Sequence, residues 1–414
     1  MRILFLSQIL PYPPNAGPRV KSWYVFQHLA RSSAEIYLVT FIRPEEKEYL
    51  PTVESLCRKV LAVPIKRSRK HDGVALIKSI FNGKPFLVER DNLDSMHSAV
   101  RDLVKQHDFD VIHTDQLSMA QFGWMAKNWQ QIESPDRKSP YLIFDAHNAT
   151  WTIVDRMRSH VLSIARPLIS LEKKKIQKYE DWLITNFDHT LAVSEIDKTA
   201  LLSLQPSNKE LNEKISVIPI AIDTNQITPV KQTEQSLQIL TVGSLHYPPN
   251  ADGIRWFINN VFSLIIAKKT SAGLTIIGKN PPADFYESAA KYPGKILITG
   301  YVENLTPYFE KAALLVVPVL AGGGMRVRIL EGFARQLPVV TTTIGLEGIA
   351  AIDGKEVIVK DNPRDMAEAI IFLLDNYEIA QKIALSGREL VVKKYDWQSV
   401  FSKLDQVYNQ AKVI

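Results

Sequence analysis

The sequence predicts an α/β protein of two doubly wound domains, each a parallel sheet flanked by helices. Three observations carry that expectation. The 414 residues exceed the length at which one hydrophobic core usually stops growing. Short apolar strands alternate with helical patterns along the chain, and strands alternating with helices imply a parallel sheet. The tetrapeptide Tyr12-Pro-Pro-Asn15 recurs as Tyr247-Pro-Pro-Asn250, each copy following what reads as the first strand of its half.

In the first half RILFLS, EIYLVTF, KVLAVP, VIHTD, YLIFDAH and HTLAVS read as strands, with helical stretches between them at Arg19 to Arg31 and Ser95 to His107. A long helical region from Trp151 to Phe187 follows, and KISVIPIAID closes the half with another strand. The polar segment from Thr224 to Ser236 lacks apolar periodicity and reads as a linker. The second half restarts with LQILTVG, GLTIIG, KILITG, ALLVVPV, LPVVTT and EVIVK. Its first helix places Ile254, Phe257, Ile258, Val261, Phe262 and Ile265 on one stripe. The expected domains are therefore 1–225, a linker at 226–236, and 237–395. Each YPPN should sit at a strand-to-helix turn, with Asn15 and Asn250 placed to cap or lead into the helix.

Composition narrows the class. Apolar residues make up 46% and charged residues 23%, which is globular rather than disordered. The net charge of +6 favours anionic ligands but is modest for a nucleic-acid binder, and no DNA-binding motif is present. The single cysteine, Cys57, excludes an intrachain disulfide and a cysteine metal cluster, and points to a reducing compartment. The run Ile3 to Leu6 is interrupted by Ser7 and Gln8 and reads as a buried strand rather than a signal peptide. No run of about 18 apolar residues occurs, so the expectation is a soluble, cytoplasmic protein. The basic stretches Arg58 to Lys70 and Arg156 to Lys178 read first as solvated faces, and the second reading is peripheral contact with an anionic membrane at its inner face.

The most informative stretch is VVPVLAGGGMRVRILEGFARQLPVVTT, Val316 to Thr342. A strand runs through Gly322, Gly323 and Gly324 into a helix carrying Arg326, Arg328 and Glu331. Bare amides at a helix start attract anions, and two guanidiniums beside them point to a diphosphate. Glu331 also stands at ion-pair spacing from Arg328. No G-x-G-x-x-G follows the first strand and no G-x-x-x-x-G-K-[ST] occurs, which speaks against a dehydrogenase or a nucleoside triphosphatase.

That stretch resembles the donor-site signature of glycosyltransferase family 4, the group 1 retaining enzymes of the GT-B fold, and the resemblance extends over nearly the whole chain. RILFLSQILPYPPNAGPRV is similar to the family's first strand and glycine loop, FDAHN to its histidine strand, and LITGYVENLTPYFEKAALLVVPV to the strand and helix before the donor motif. The resemblance implies two Rossmann-like domains facing each other across a cleft, with the C-terminal helix 396–414 returning to the first domain. It implies a nucleotide-diphosphate sugar as donor, a glycan, polysaccharide or lipid-linked acceptor, and no metal or other cofactor. On the residues that match, it places Glu331 at the ribose, Gly17 at the donor phosphate and His147 at the sugar; the loop GYVEN suggests that the base stacks near Tyr301, Val302 and Glu303. Arg326 and Arg328, with the amides of Gly322 to Gly324, would then hold the diphosphate.

Three departures accompany the match. The first acid of the family's E-x7-E motif is Gly323 here, the basic positions near the first C-domain turn hold Ser244 and Asn250, and Ile220 to Asp223 replaces Asn-Gly-Val-Asp. Arg326 and Arg328 are expected to supply the charge lost at that turn. Two alternatives stay open at this point, a nucleotide-sugar epimerase of the same fold and a catalytically lapsed partner-binding subunit.

Overall fold

The computed structural model describes residues 1–14, 17–232, 234 and 236–413. They divide into two compact units, Met1–Ala221 with Val400–Ile414, and Ile222–Ser399.

The first unit is built on seven strands: β1 (Arg2–Ser7), β2 (Glu35–Ile42), β3 (Lys59–Pro64), β4 (Val111–Asp115), β5 (Tyr141–Ala146), β6 (His189–Ala192) and β7 (Ile215–Val217). Their order is β3-β2-β1-β4-β5-β6-β7, and neighbouring strands run parallel. β1 is buried from Ile3 to Ser7, as expected of a strand covered on both faces. The strand order reverses between β1 and β4, and there Ser7 lies opposite Asp115. In open α/β sheets that reversal, at the carboxyl ends of the strands, is where ligands bind.

Helices α1 (Gly17–Arg31), α2 (Arg69–Asn82), α3 (Asp94–Gln106), α4 (Thr150–His160) and α5 (Arg166–Asn186) belong to this unit. Pro18 occupies the first turn of α1, where its missing N–H costs nothing. The single helical region expected from Trp151 to Phe187 is instead α4, a short turn at Ser163–Ala165, and α5. Pro167, in the first turn of α5, prevents a continuous helix.

The second unit has β8 (Gln238–Val242), β9 (Gly273–Ile277), β10 (Ile296–Gly300), β11 (Ala312–Val317), β12 (Val339–Thr341) and β13 (Ile358–Val359). Their order, β10-β9-β8-β11-β12-β13, is again parallel and reverses between β8 and β11. α6 (Pro248–Trp256) continues through a π turn at Phe257–Phe262 into Ser263–Lys268. The six residues of the predicted stripe are all buried along this run. α7 (Val327–Ala334) and α8 (Trp397–Val413) complete the elements used below.

Two expectations change here. Tyr247 takes the cap position and the Pro-Pro pair opens α6, so Asn250 lies inside the first turn rather than capping it. Proline's fixed φ suits the first helical positions, which places the cap three residues before Asn250, at Tyr247. Asn15 lies outside the described residues. The segment expected as a linker from 226 belongs to the second unit: Val230 N–H donates to the Arg335 carbonyl (2.9 Å), and the Gln232 amide reaches the carbonyls of Ala312 and Ala313 (3.4 and 3.3 Å). Contacts made through polar groups leave no apolar period for sequence reading to detect. Toward its C-terminus α8 joins the first unit, where Asp405 bonds His28 (2.7 Å) and the Phe401 ring lies 4.6 Å from the His28 ring. Among the described residues no helix is long and apolar enough to cross a membrane.

Candidate active site

In the second unit, β8 and β11 deliver two turns to the same edge of the sheet. After β11 the chain passes through Gly322 (φ +102°) and Gly324 (φ +83°), left-handed conformations that side chains rarely adopt, and enters α7. Arg326 caps α7, and its Nη1 donates to the carbonyls of Gly323 (2.5 Å) and Gly324 (2.6 Å), wrapping the glycine turn around the guanidinium. Arg328 reaches across to the other turn. Its Nη1 donates to the Val242 carbonyl (2.8 Å) and its Nη2 to Asn250 Oδ1 (2.5 Å), while the Asn250 amide donates to the Ser244 carbonyl (3.1 Å).

The charge of Arg328 therefore stands at the turn built by Ser244 and Asn250. Gly243 makes the room, since a Cβ there would lie 2.2 Å from Arg328 Nη1. Burial, and then the charge of Arg326, lowers the Arg328 pKa to about 10, which leaves it cationic at neutral pH.

Glu331 does not pair with Arg328. Its carboxylate meets Arg335 Nε at 3.3 Å, because Arg328 is turned toward Asn250. Burial raises the Glu331 pKa and Arg335 opposes the rise. Arg335 also donates to Thr306 Oγ1 (3.3 Å) and lies 4.5 Å over the Phe309 ring, which ties Glu331 to the segment following Val302 and Glu303. In that loop Val302 is half-buried, Glu303 is exposed, and Lys279 Nζ sits 4.4 Å over the Tyr301 ring.

In the first unit, Gly17 opens α1, and apart from its chain neighbours and its own helix no atom lies within 4 Å of where a Cβ would stand. Arg19, two residues further on, is ion-paired with Glu46. One turn further along α1, Ser22 Oγ donates to Asp115 Oδ2 (2.7 Å), as does Ser7 Oγ (2.7 Å), and His147 Nε2 meets Asp115 Oδ1 at 2.6 Å. Asp115 thus ties His147 to the start of α1.

Behind it lies a buried ionic cluster that the sequence reading missed apart from His147. Lys21 and Asp145, both essentially without solvent exposure, form an ion pair; His113 Nε2 lies 3.6 Å from Asp145, and Tyr408 of α8 bonds His113 Nδ1 (2.8 Å). Burial alone would push the Asp145 carboxyl up, but Lys21 and the two histidines pull it well below the usual carboxylate range. Ligand-type atoms of His113, Asp115 and Asp145 lie within 4.8 Å of one another, and the Lys21 ammonium supplies positive charge there. The signal was present in sequence: VIHTD and YLIFDAH each place ionisable residues inside an otherwise apolar strand.

Comparison with known proteins identifies the family and the fold. Residues 23–226 match the profile described as "Glycosyltransferase Family 4", and residues 236–376 match "Glycosyl transferases group 1". A Klebsiella pneumoniae protein described as an uncharacterized 44.6 kDa protein in the cps region is 24% identical over 97% of this chain and 98% of its own. Glycogen synthase of Mycobacterium tuberculosis is 28% identical over 58% of each chain. Among solved structures, sucrose-phosphate synthase of Thermosynechococcus elongatus superposes with a TM-score of 0.70 at 16% identity over all of both chains. Anabaena HepE, solved in complex with UDP, gives 0.68 at 12% identity over 99% of this chain and 100% of its own. With both halves matched in order and the fold shared from end to end, the chain belongs to the group 1, family 4 glycosyltransferases of GT-B fold.

Proposed function

We propose that the protein is a retaining hexosyltransferase that moves a sugar from a nucleotide-diphosphate donor to a glycan, polysaccharide or lipid-linked acceptor, without a metal ion. The observation that carries this reading is the pair of guanidiniums, Arg326 and Arg328, held at one sheet edge beside the glycine turn 322–324. The HepE structures with UDP and with UDP-glucose support a nucleotide-sugar donor for a chain of this fold.

A diphosphate leaving group develops negative charge as the sugar bond breaks. Fixed cations and amides that need no reorganisation stabilise that charge, the work a divalent ion performs elsewhere. In the front-face mechanism a leaving phosphate oxygen accepts the proton of the acceptor hydroxyl, so the sugar is transferred with retention and no protein nucleophile is required. The protein's contribution is then mainly positioning. His147, oriented by Asp115, serves a sugar hydroxyl from the first unit; Gly17 keeps the start of α1 open to phosphate, and Glu331 binds the ribose.

Calorimetric titration with UDP, GDP, ADP and TDP and their common sugars, with chelator present, tests the proposal. One nucleotide series should bind, and Arg326→Ala or Arg328→Ala should weaken it by about 1.5–3 kcal/mol, the range for a charged hydrogen bond. Unchanged affinity in both variants would remove the diphosphate assignment. Failure of every nucleotide to bind would favour a lapsed, partner-binding subunit, a reading that Gly323 in place of the first acid leaves available.

A further inference from the structure

The apolar side of α2 faces outward. The helix buries Ala75 and Ser79 against its unit and exposes Val74, Ile77, Ile80 and Phe81, with Phe81 87% exposed. Val74, Ile77 and Phe81 recur at helical spacing with Lys70 and Lys78 on the same stripe. Exposed isolated apolar residues need no explanation, but an aligned stripe ending in a bare phenylalanine does.

A second exposed group lies beside it. Lys175 of α5 donates to the carbonyl and hydroxyl oxygens of Ser79 (both 2.9 Å), and Glu172 accepts the Phe86 N–H (2.5 Å), so the end of α2 and the turn after it rest on α5. One to two turns back along that face of α5, Leu171 and Leu168 are exposed, and the turn leading into α5 presents Ile164 (89% exposed) and Leu162 (80%).

The surroundings are cationic. Lys66, Arg69, Lys70, Lys78 and Lys84 are all exposed, and Asp72 is the sole acid between positions 66 and 84. Among the described residues none of these five cations lies within ion-pair distance of a carboxylate. A symmetric contact with a second copy would set this positive patch against itself, at a repulsive cost. A surface that is anionic at the top and apolar just below satisfies both features at once.

We propose that α2 and the segment from Leu162 to Leu171 form an interfacial docking surface for an anionic lipid bilayer. The aliphatic residues and Phe81 enter the headgroup and acyl boundary, and the surrounding lysines and arginines meet the lipid phosphates. The surface lies within the first unit and does not depend on the donor reading. Donor binding therefore serves as an independent control.

Co-sedimentation with phosphatidylglycerol–phosphatidylcholine vesicles and with pure phosphatidylcholine vesicles tests the proposal. The protein should bind the anionic vesicles, and binding should fall as salt rises from about 0.1 M to about 1 M, where charge screening is strong. At about 1 kcal/mol per basic residue, Lys70→Ala/Lys78→Ala should lose roughly 30-fold in affinity. Ile77→Ser/Phe81→Ser should lose at least about tenfold through lost apolar burial. Both variants alter exposed side chains and should keep the wild-type Tm and nucleotide affinity. Absence of wild-type binding to anionic vesicles, or equal binding by both variants, would overturn the proposal. So would a concentration-dependent dimer abolished by Ile77→Ser/Phe81→Ser, which would make a second copy the occupant.

Discussion

The two units solve the same topological problem with opposite chemistry. Each reverses strand order after its first strand, and each brings a strand-to-helix turn to that point. In the first unit the space behind the turn is filled by buried charges, with Lys21, Asp145, His113 and Asp115 locked between β4, β5, α1 and α8. In the second it is filled by close backbone approach: a Cβ on Gly253 would stand 1.7 Å from the Pro318 carbonyl, and one on Gly278 1.8 Å from that of Gly243. The charges of the second unit are left at the edge, on half-buried arginines held by carbonyls and one amide. Similar folds thus do not imply similar sites. The first unit uses charge to fix a histidine, whereas the second keeps its charge at the edge and uses glycine to make room for it.

The comparison is tested most severely by removing one member of the buried pair. Lys21→Met leaves Asp145 buried without its cation and should cost about 3–5 kcal/mol, the range for breaking a buried ion pair. Chemical denaturation of the variant measures the loss, and hydrogen exchange should locate it in the first unit. A change comparable to a surface substitution would mean that the network contributes little. The double variant Lys21→Met/Asp145→Leu should recover much of the loss, since replacing both charges with apolar groups can be neutral or better.

A second buried acid of the first unit gives a pH test. Burial pushes the Glu180 carboxyl up to about 8, against the opposing pull of the Thr150 and Trp151 N–H groups that open α4. A raised carboxyl holds its proton more tightly folded than unfolded. Its contribution is fully present below about 4.5, the ordinary glutamate value, and is lost as pH rises through about 8. Glu180→Gln, which mimics the protonated form, should match the wild type near pH 4.5 and exceed it in Tm at pH 8. A Tm difference that stays constant across that window would contradict the assignment.

In the second unit the corresponding perturbation is steric. Gly253→Ala drives a methyl into the Pro318 carbonyl and should cost about 1–3 kcal/mol through overpacking. Because Pro318 leads from β11 toward the glycine turn, the variant should also weaken nucleotide binding. Calorimetry alongside thermal melting checks both, and an undisturbed Tm would show that α6 can move away at little cost.

How much of this was legible beforehand follows from the kind of interaction involved. The strands could be read because a sheet covered on both faces demands continuous apolar runs, and the stripe from Ile254 to Ile265 because a helix buries one face. The glycine turn and the arginines beside it could be read as one local feature because Gly322 to Gly324, Arg326 and Arg328 lie within seven positions of one another. Lys21 with Asp145, Asp115 with His147, and Arg328 with Asn250 were not legible as pairs. Their partners are separated by 124, 32 and 78 positions, and only the strand order brings them together. The outward apolar face of α2 escaped for a different reason: its sequence resembles a buried stripe, and only packing reveals which side faces the protein.

The smallest expected effect concerns Glu331, which has both a structural partner and a proposed ligand. As an i, i+4 pair with Arg335 its contribution to stability should be about 0.3–0.5 kcal/mol. Arg335→Gln, removing the pair and the contact with Thr306, should therefore change Tm only slightly. If Glu331 also holds the ribose, it loses a charged hydrogen bond to a 2′- or 3′-hydroxyl when replaced, so Glu331→Gln should weaken the nucleotide far more than it destabilises the fold. Deoxynucleotides separate the two roles. Removing the hydroxyl that Glu331 accepts from should weaken binding to the wild type and to Arg335→Gln alike, but add little to the loss already suffered by Glu331→Gln. Equal sensitivity to the deoxy substitution in all three proteins would leave Glu331 with its structural partner alone, and would shift recognition of the ribose to the loop that carries Val302 and Glu303.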